Sequence, residues 1–189
     1  LLYGEYPEAF ETARVMSAQA RGLAASELMG NTLRANLLRG LLSVQTLAAL
    51  QLGRYVDAEA AARERSALPP NPFSDFDPQV EITRAQITLA HALVGQGRLA
   101  EARKILELEL SRYHDRRKAG ANGLSFERDL AYAQYVNAIA QPDDGPGRTR
   151  RSLALAEARA ALSRVPADAQ RVYEVRELTR LIAEAGRRG

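Results

Sequence analysis

The stretch Leu89–Leu110, LAHALVGQGRLAEARKILELEL, decides the fold. Apolar residues recur at helical spacing on both sides of Gly97-Arg98: Leu89 and Leu93 before it, Leu99, Ala102, Leu106 and Leu110 after it. One helix therefore ends at a tight turn and a second begins near Leu99. The same order of residues recurs in LAALQLGRYVDAEAAAR, Leu47 to Arg63, and in YGEYPEAFETA, Tyr3 to Ala13. Aligned on the turn glycines, the copies read Gly4-Glu-Tyr-Pro-Glu-Ala9, Gly53-Arg-Tyr-Val-Asp-Ala58 and Gly97-Arg-Leu-Ala-Glu-Ala102. Each shared position has a physical reason. Glycine permits the turn, and the bulky residue two places on (Tyr55 or Leu99) fills the gap between helices. The alanine marks a close approach of helix backbones, where a larger side chain overpacks at a cost of about 1–3 kcal/mol. A fourth copy, Leu155-Ala-Glu-Ala158, keeps the end of the pattern and replaces the glycine by the longer loop Pro142–Gly147.

Working outward, the rest of the chain follows the same rhythm. Pro7 suits the start of a helix whose face carries Ala9, Ala13, Met16 and Ala20, with a break expected between Gly22 and Asn31. From Thr32 to Leu52 two apolar stripes run along one helix: Leu33, Leu37, Leu41, Val44 and Ala48, and Leu38, Leu42, Ala49 and Leu52. A helix apolar on two sides is expected to lie between neighbours. After Gly53 an alanine-rich helix carries Glu59 and Arg63 four apart as a supporting ion pair. The proline-rich segment Leu68–Pro78 is a loop, with Phe73 and Phe76 expected to fold back over a helix pair and Asp77-Pro78 opening the next helix. Ser125 is the expected N-cap of a further helix, and a last one is expected from Asp168 to Ala185. The outcome is an all-α chain of about eight antiparallel helices, in units of approximately 1–25 (partial), 32–68, 78–118 and 125–165, closed by a capping helix at 168–185.

Composition agrees. Alanine, leucine, arginine and glutamate dominate and are good helix formers. A 46% hydrophobic, 26% charged balance belongs to a folded rather than a disordered chain, and the absence of cysteine removes disulfides and thiolate metal sites. No apolar run approaches the ~18 residues of a membrane-spanning helix, so no membrane partner is expected, and the expected location is the cytoplasm. Leu1 opens inside a repeat copy, which reads as a piece of a larger or processed protein.

The repeated turn resembles the tetratricopeptide repeat, and more closely its longer kinesin-light-chain-type variant, in which an Asp/His-Pro pair opens the first helix after an extended loop. Here Asp77-Pro78 through Ala102 fits that arrangement, and 44 residues separate Gly53 from Gly97. The resemblance covers Gly53 to Leu110 best. It implies a right-handed α-solenoid of antiparallel helix hairpins with a concave groove lined by the first helix of each pair. Carried over by alignment, the groove presents Ser43, Leu47, Leu50 and Gln51, then Arg84, Ile87, His91 and Val94, then Glu127, Leu130, Gln134 and Asn137. These places lack the Lys/Asn/Arg set with which some relatives clamp a C-terminal carboxylate. The partner the resemblance implies is a protein peptide or helix, in a scaffolding or regulatory role of bacterial type; a homo-oligomer is left open.

Chemistry has little to rest on. The two histidines, His91 and His114, fall on different helices without metal-ligand spacing, so no metal is expected. No phosphate-loop, dinucleotide or nucleophile-elbow motif occurs, and Gly95-Gln-Gly97 reads as a repeat turn. No catalytic residue and no cofactor are expected, and the chain is read as a non-enzyme. The basic runs Arg112–Lys118 and Arg148–Arg151 give the alternative function, a nucleic-acid-associated helical module. The first run also suits a helix C-terminus through the macrodipole, which makes nucleic acid the lesser reading.

Overall fold

The computed structural model describes residues 5–22, 28–69 and 78–187, with the backbone alone at 28–31. The first turn at Gly4, and Phe73, Phe76 and Asp77 of the proline-rich loop, lie outside the described residues. Eight α-helices and one 3₁₀ turn are described, and no strand occurs among the described residues. The chain divides into two compact units, residues 1–96 and 97–189. The division falls at the Gly97 turn, so the deciding stretch contributes one helix to each.

The first unit contains α1 (Tyr6–Gly22), α2 (Leu28–Gln51), α3 (Tyr55–Ala67) and α4 (Pro78–Gly95). Each packs on the next in sequence, and α2 also touches α4. The contacts fix antiparallel directions. Phe10 near the start of α1 packs with Ala48, Ala49 and Leu50 near the end of α2, whereas Ala20 packs with Leu38 and Leu42. Arg65 at the end of α3 reaches Glu81 at the start of α4 at 2.8 Å, while Gln96 just past α4 donates to Glu59 (2.8 Å) and to the Tyr55 carbonyl (3.2 Å).

The turn between α2 and α3 shows why glycine stands at 53. Its φ is +69°, a left-handed conformation costing other residues roughly 1–2 kcal/mol. Gly53 N–H donates to the Leu50 carbonyl and Arg54 N–H to that of Ala49, the Schellman pattern that satisfies the last carbonyls of α2. Gly97 repeats the conformation at φ +76°. The residue after each glycine also matches: Arg54 at φ −83°, ψ 62° and Arg98 at φ −82°, ψ 56°. Each arginine then bonds the acid three places on, Arg54 to Asp57 and Arg98 to Glu101, both at 2.7 Å. The repeated residues thus produce a repeated piece of geometry.

The break expected between Gly22 and Asn31 lies between the end of α1 at Gly22 and the start of α2 at Leu28. Two expectations are corrected here. In α1 the buried face is Phe10, Ala13, Ser17 and Ala20, and Met16 is exposed. In α2 one apolar stripe is covered, with Leu38, Leu42 and Ala49 buried. The other is open at Leu33 (72% exposed) and Leu37 (43%).

The second unit contains α5 (Leu99–Lys118), α6 (Leu124–Ile139), α7 (Gly145–Ser163), a 3₁₀ turn (Ala169–Arg171) and α8 (Tyr173–Arg187). The α6–α7 hairpin forms its most extensive packing, with α5 on α6 and α8 across both hairpin helices. Asp144 caps α7 by accepting from Gly147 N–H at 2.5 Å. Two further corrections belong to this unit. Gly123, at φ +94°, stands at the N-cap of α6, so Ser125 lies inside the helix. Asp168 caps the 3₁₀ turn, and extended Val172 separates that turn from α8; the capping helix is therefore shorter at its start than the apolar spacing suggested.

Candidate functional site

The residues that the repeat pattern marks as structural differ in burial, and Gly53 and Gly97 are exposed. Ala58, Ala102 and Ala158 are each fully buried, while Ala100, two places from Ala102, is exposed. Ala9 and Leu99 are half-buried. Tyr55 fills a gap, although the gap is the one between α3 and the following helix: its ring lies directly on Gly95 of α4. Ala92 and Ala58 belong to the same cluster, so small residues on α3 and α4 bring the two backbones together around that ring.

The expected groove residues divide between the two units. In the first, Arg84, Ile87 and His91 follow one another along α4 at spacings of three and four, and Gln51 is the exposed last residue of α2. Ile87 is 1% exposed and belongs to the core. Arg84 donates to Glu81 at 2.8 Å, and Glu81 also accepts from Arg65. Burial opposes ionisation of Glu81, but the Arg65 hydrogen bond and charge, then those of Arg84, outweigh it and hold its carboxyl below the usual range. His91 is desolvated, which pushes its pKa down to about 4 and keeps the imidazole neutral at pH 7. Gln51 is exposed, and Arg84 and His91 are half-buried.

In the second unit, Glu127, Gln134 and Asn137 share one face of α6. Glu127 is 4% exposed and its carboxylate accepts from Arg117 at 2.6 Å and Arg164 at 3.1 Å. Those bonds tie the end of α5, the start of α6 and the end of α7 together. Gln134 is buried as well, and Asn137 is half-buried, its carbonyl and Oδ1 both accepting from Gln141 Nε2 at 3.0 Å. Burial, and the neighbouring Tyr135, raise the pKa of Tyr132 on the same helix.

Most of the cations in the basic runs have acidic partners on the chain itself. Arg112 pairs with Glu109 (2.6 Å), Arg117 with Glu127, and Lys118 with Asp115 (3.4 Å). Arg116 lies over the Phe126 ring at 5.5 Å. Arg148 and Arg151 both approach Asp143 at 3.8 Å, and Arg150 bonds Gln141 at 3.0 Å. The expected Glu59–Arg63 pair is present at 2.7 Å. Among the described residues no group of three or more His, Asp or Glu is placed to hold a metal ion, and no helix is long and apolar enough to cross a membrane.

Two contacts had no clear signal in the sequence. The Arg54 guanidinium sits 3.9 Å from the Phe10 ring centroid and reaches Glu11 at 3.3 Å, joining the repeat turn to α1. Gly40, midway along α2 and exposed, has no neighbour among the described residues, outside its own helical turns, within 4 Å of where a Cβ would stand. Comparison with protein-family models, curated proteins and solved structures finds no match to this chain.

Proposed function

We propose that this chain is a protein-interaction module built as a tetratricopeptide-like, right-handed solenoid that holds a peptide or helix of a partner protein. The observation that carries the reading is the twofold occurrence of one turn. Gly53 and Gly97 share a positive φ, and each following arginine shares its backbone conformation and its bond to the acid three places on. Repeats of this kind stack helices and leave one face of each first helix for partners, and small repeat units have little else to offer chemically. The contact between α2 and α4, both first helices in this scheme, supports the same stacking. The acid-paired state of the basic runs favours a protein partner over nucleic acid.

The test uses the immobilised full chain and extract of the source cell. Binding should survive moderate salt and be lost in a Gln51→Glu/Arg84→Glu variant whose helicity and melting temperature match the parent. Retention of every partner by that variant overturns the groove assignment. Binding that collapses with salt and with nuclease treatment overturns the reading as a whole.

A further inference from the structure

We propose that the corner of the second unit where α5 and α7 end and α6 begins is a docking site for an acidic segment of the partner protein. Charge divides the chain where its packing divides it. Residues 97–189 hold 18 Lys and Arg against 13 Asp and Glu, whereas residues 1–96 hold 8 against 10. The second unit is therefore the one that attracts anions. Within it, three guanidiniums meet around two neighbouring residues of α6. Arg117, in the last turn of α5, and Arg164, the residue that ends α7, both donate to Oε2 of Glu127, at 2.6 and 3.1 Å. The Arg116 and Arg117 guanidiniums lie 5.5 and 5.3 Å from the Phe126 ring centroid, and Arg116 lies 6.0 Å from that of Tyr113.

The chain answers these cations only in part. Glu127 supplies one negative charge for three positive ones. The ends of α5 and α7 each offset about half a charge and the start of α6 returns as much, so a surplus of roughly 1.5 charges remains. The neighbouring pairs Arg112–Glu109 and Lys118–Asp115 are each neutral and leave that surplus unchanged. Hydrogen bonding agrees. Among the described residues Arg116 has ring contacts and no acidic partner. The Arg117 Nε is closed off from solvent and bonds no acceptor. Arg164 spends its Nε on Glu127 and is 42% exposed, which leaves its two terminal nitrogens for another acceptor. An arginine fork matches a carboxylate through two parallel N–H···O bonds, so acidic side chains suit these donors. The buried Phe126 and Tyr113 rings hold Arg116 in place before any partner arrives, which lowers the cost of ordering it. A nucleic-acid backbone gains most from an unbroken row of free cations, and here the row is interrupted by neutral pairs.

This inference rests on the interaction reading above and specifies the chemistry of its partner. The probe is a fluorescent twelve-residue peptide of alternating glutamate and serine, titrated into the full chain at low salt and followed by anisotropy. Beside it run the same peptide with glutamine for glutamate and a twelve-nucleotide oligothymidylate. The glutamate peptide should bind at least tenfold more tightly than the glutamine peptide. Arg116→Gln and Arg164→Gln, each with the helicity of the parent, should each weaken it at least threefold. Lys104→Gln removes the same charge from α5 about 18 Å away and should leave binding within about twofold. Equal losses in all three variants would mean a general attraction of the basic unit and overturn the proposal, as would equal binding of the two peptides. Oligothymidylate bound as tightly as the glutamate peptide assigns the corner to nucleic acid and overturns it too. If the peptide fails while partners from the extract still depend on Gln51 and Arg84, the corner alone falls. If nuclease removes every partner, the interaction reading falls with it.

Discussion

Replacing Gly95 by alanine should destabilise the first unit, although the position is exposed and the exchange ordinarily favours a helix. Propensity alone gives up to about 1 kcal/mol in favour of alanine in a helix interior, and less here because Gly95 is the last residue of α4. Against that stands the Tyr55 ring. A Cβ built on Gly95 meets Cδ1, Cε1 and Cγ of Tyr55 far inside the 3.4 Å at which ordinary contact begins. Cγ lies at the root of the ring, so a small rotation does not clear it. The ring must leave its place between α3 and α4, or the helices must part where Gln96 ties α4 to the Tyr55 carbonyl and to Glu59. Overpacking of this kind costs about 1–3 kcal/mol, for a net loss of roughly 1–2 kcal/mol. For a chain of this size each kcal/mol lowers the melting temperature by about 2–4 °C.

The assay is urea unfolding followed by far-UV circular dichroism, in the parent and in a Tyr55→Ala background. In that background the obstruction is gone, and Gly95→Ala should be neutral or slightly stabilising, a coupling of roughly 1–2 kcal/mol between the two sites. An equal effect in both backgrounds would refute the account, because backbone entropy would then be the cause and ring placement irrelevant. So would a raised midpoint in the parent.

Two further outcomes follow from buried ionisable groups. Glu127→Gln leaves Arg117 and Arg164 facing a neutral amide and should lower stability by roughly 1–3 kcal/mol, read as a urea midpoint; Arg164→Ala should cost less, its side chain being 42% exposed. A neutral Glu127→Gln would mean that solvent already satisfies both arginines. For His91 the folded pKa of about 4 lies below the ordinary 6.5, so the neutral form is the one the fold accepts. Its contribution is complete above pH 6.5 and is lost as the pH falls toward 4, by up to about 1.4 kcal/mol per pH unit. Melting temperatures of the parent and His91→Gln between pH 7 and 4.5 isolate this from the carboxylates, and parallel curves would sink it.

The helices were legible because alanine-rich sequence with apolar residues at spacings of three and four admits little else. The turns at Gly53 and Gly97 were legible because a left-handed residue needs glycine. Faces were harder to read. In α1, Ala9–Ala13–Met16–Ala20 and Phe10–Ala13–Ser17–Ala20 are both helical stripes, and periodicity cannot say that a phenylalanine with an arginine over its ring outranks a methionine. Glu127 looked like a groove residue because the resemblance to the tetratricopeptide repeat aligns it with a groove position. Its partners, Arg117 and Arg164, lie 10 and 37 residues away, and no local pattern connects them. Ser125 looked like a cap because serine caps helices, yet Gly123 with φ +94° reaches the required backbone conformation first.

Three glycines separate what the fold explains from what it leaves over. Gly53 has a backbone angle that side-chained residues avoid, and Gly95 has an aromatic ring where its Cβ would be. Each returns what it costs in helix propensity. Gly40 has neither: it lies in the middle of a 24-residue helix, exposed, with no close neighbour among the described residues of other elements. Alanine there would strengthen α2 by about 1 kcal/mol at no steric cost within the unit. Leu33 and Leu37 pose the same difficulty from the other side, as large apolar residues exposed where a polar residue would serve the helix equally well. Ile87, Glu127 and Gln134, read from the sequence as groove positions, are instead buried within the chain, where a partner has no access to them.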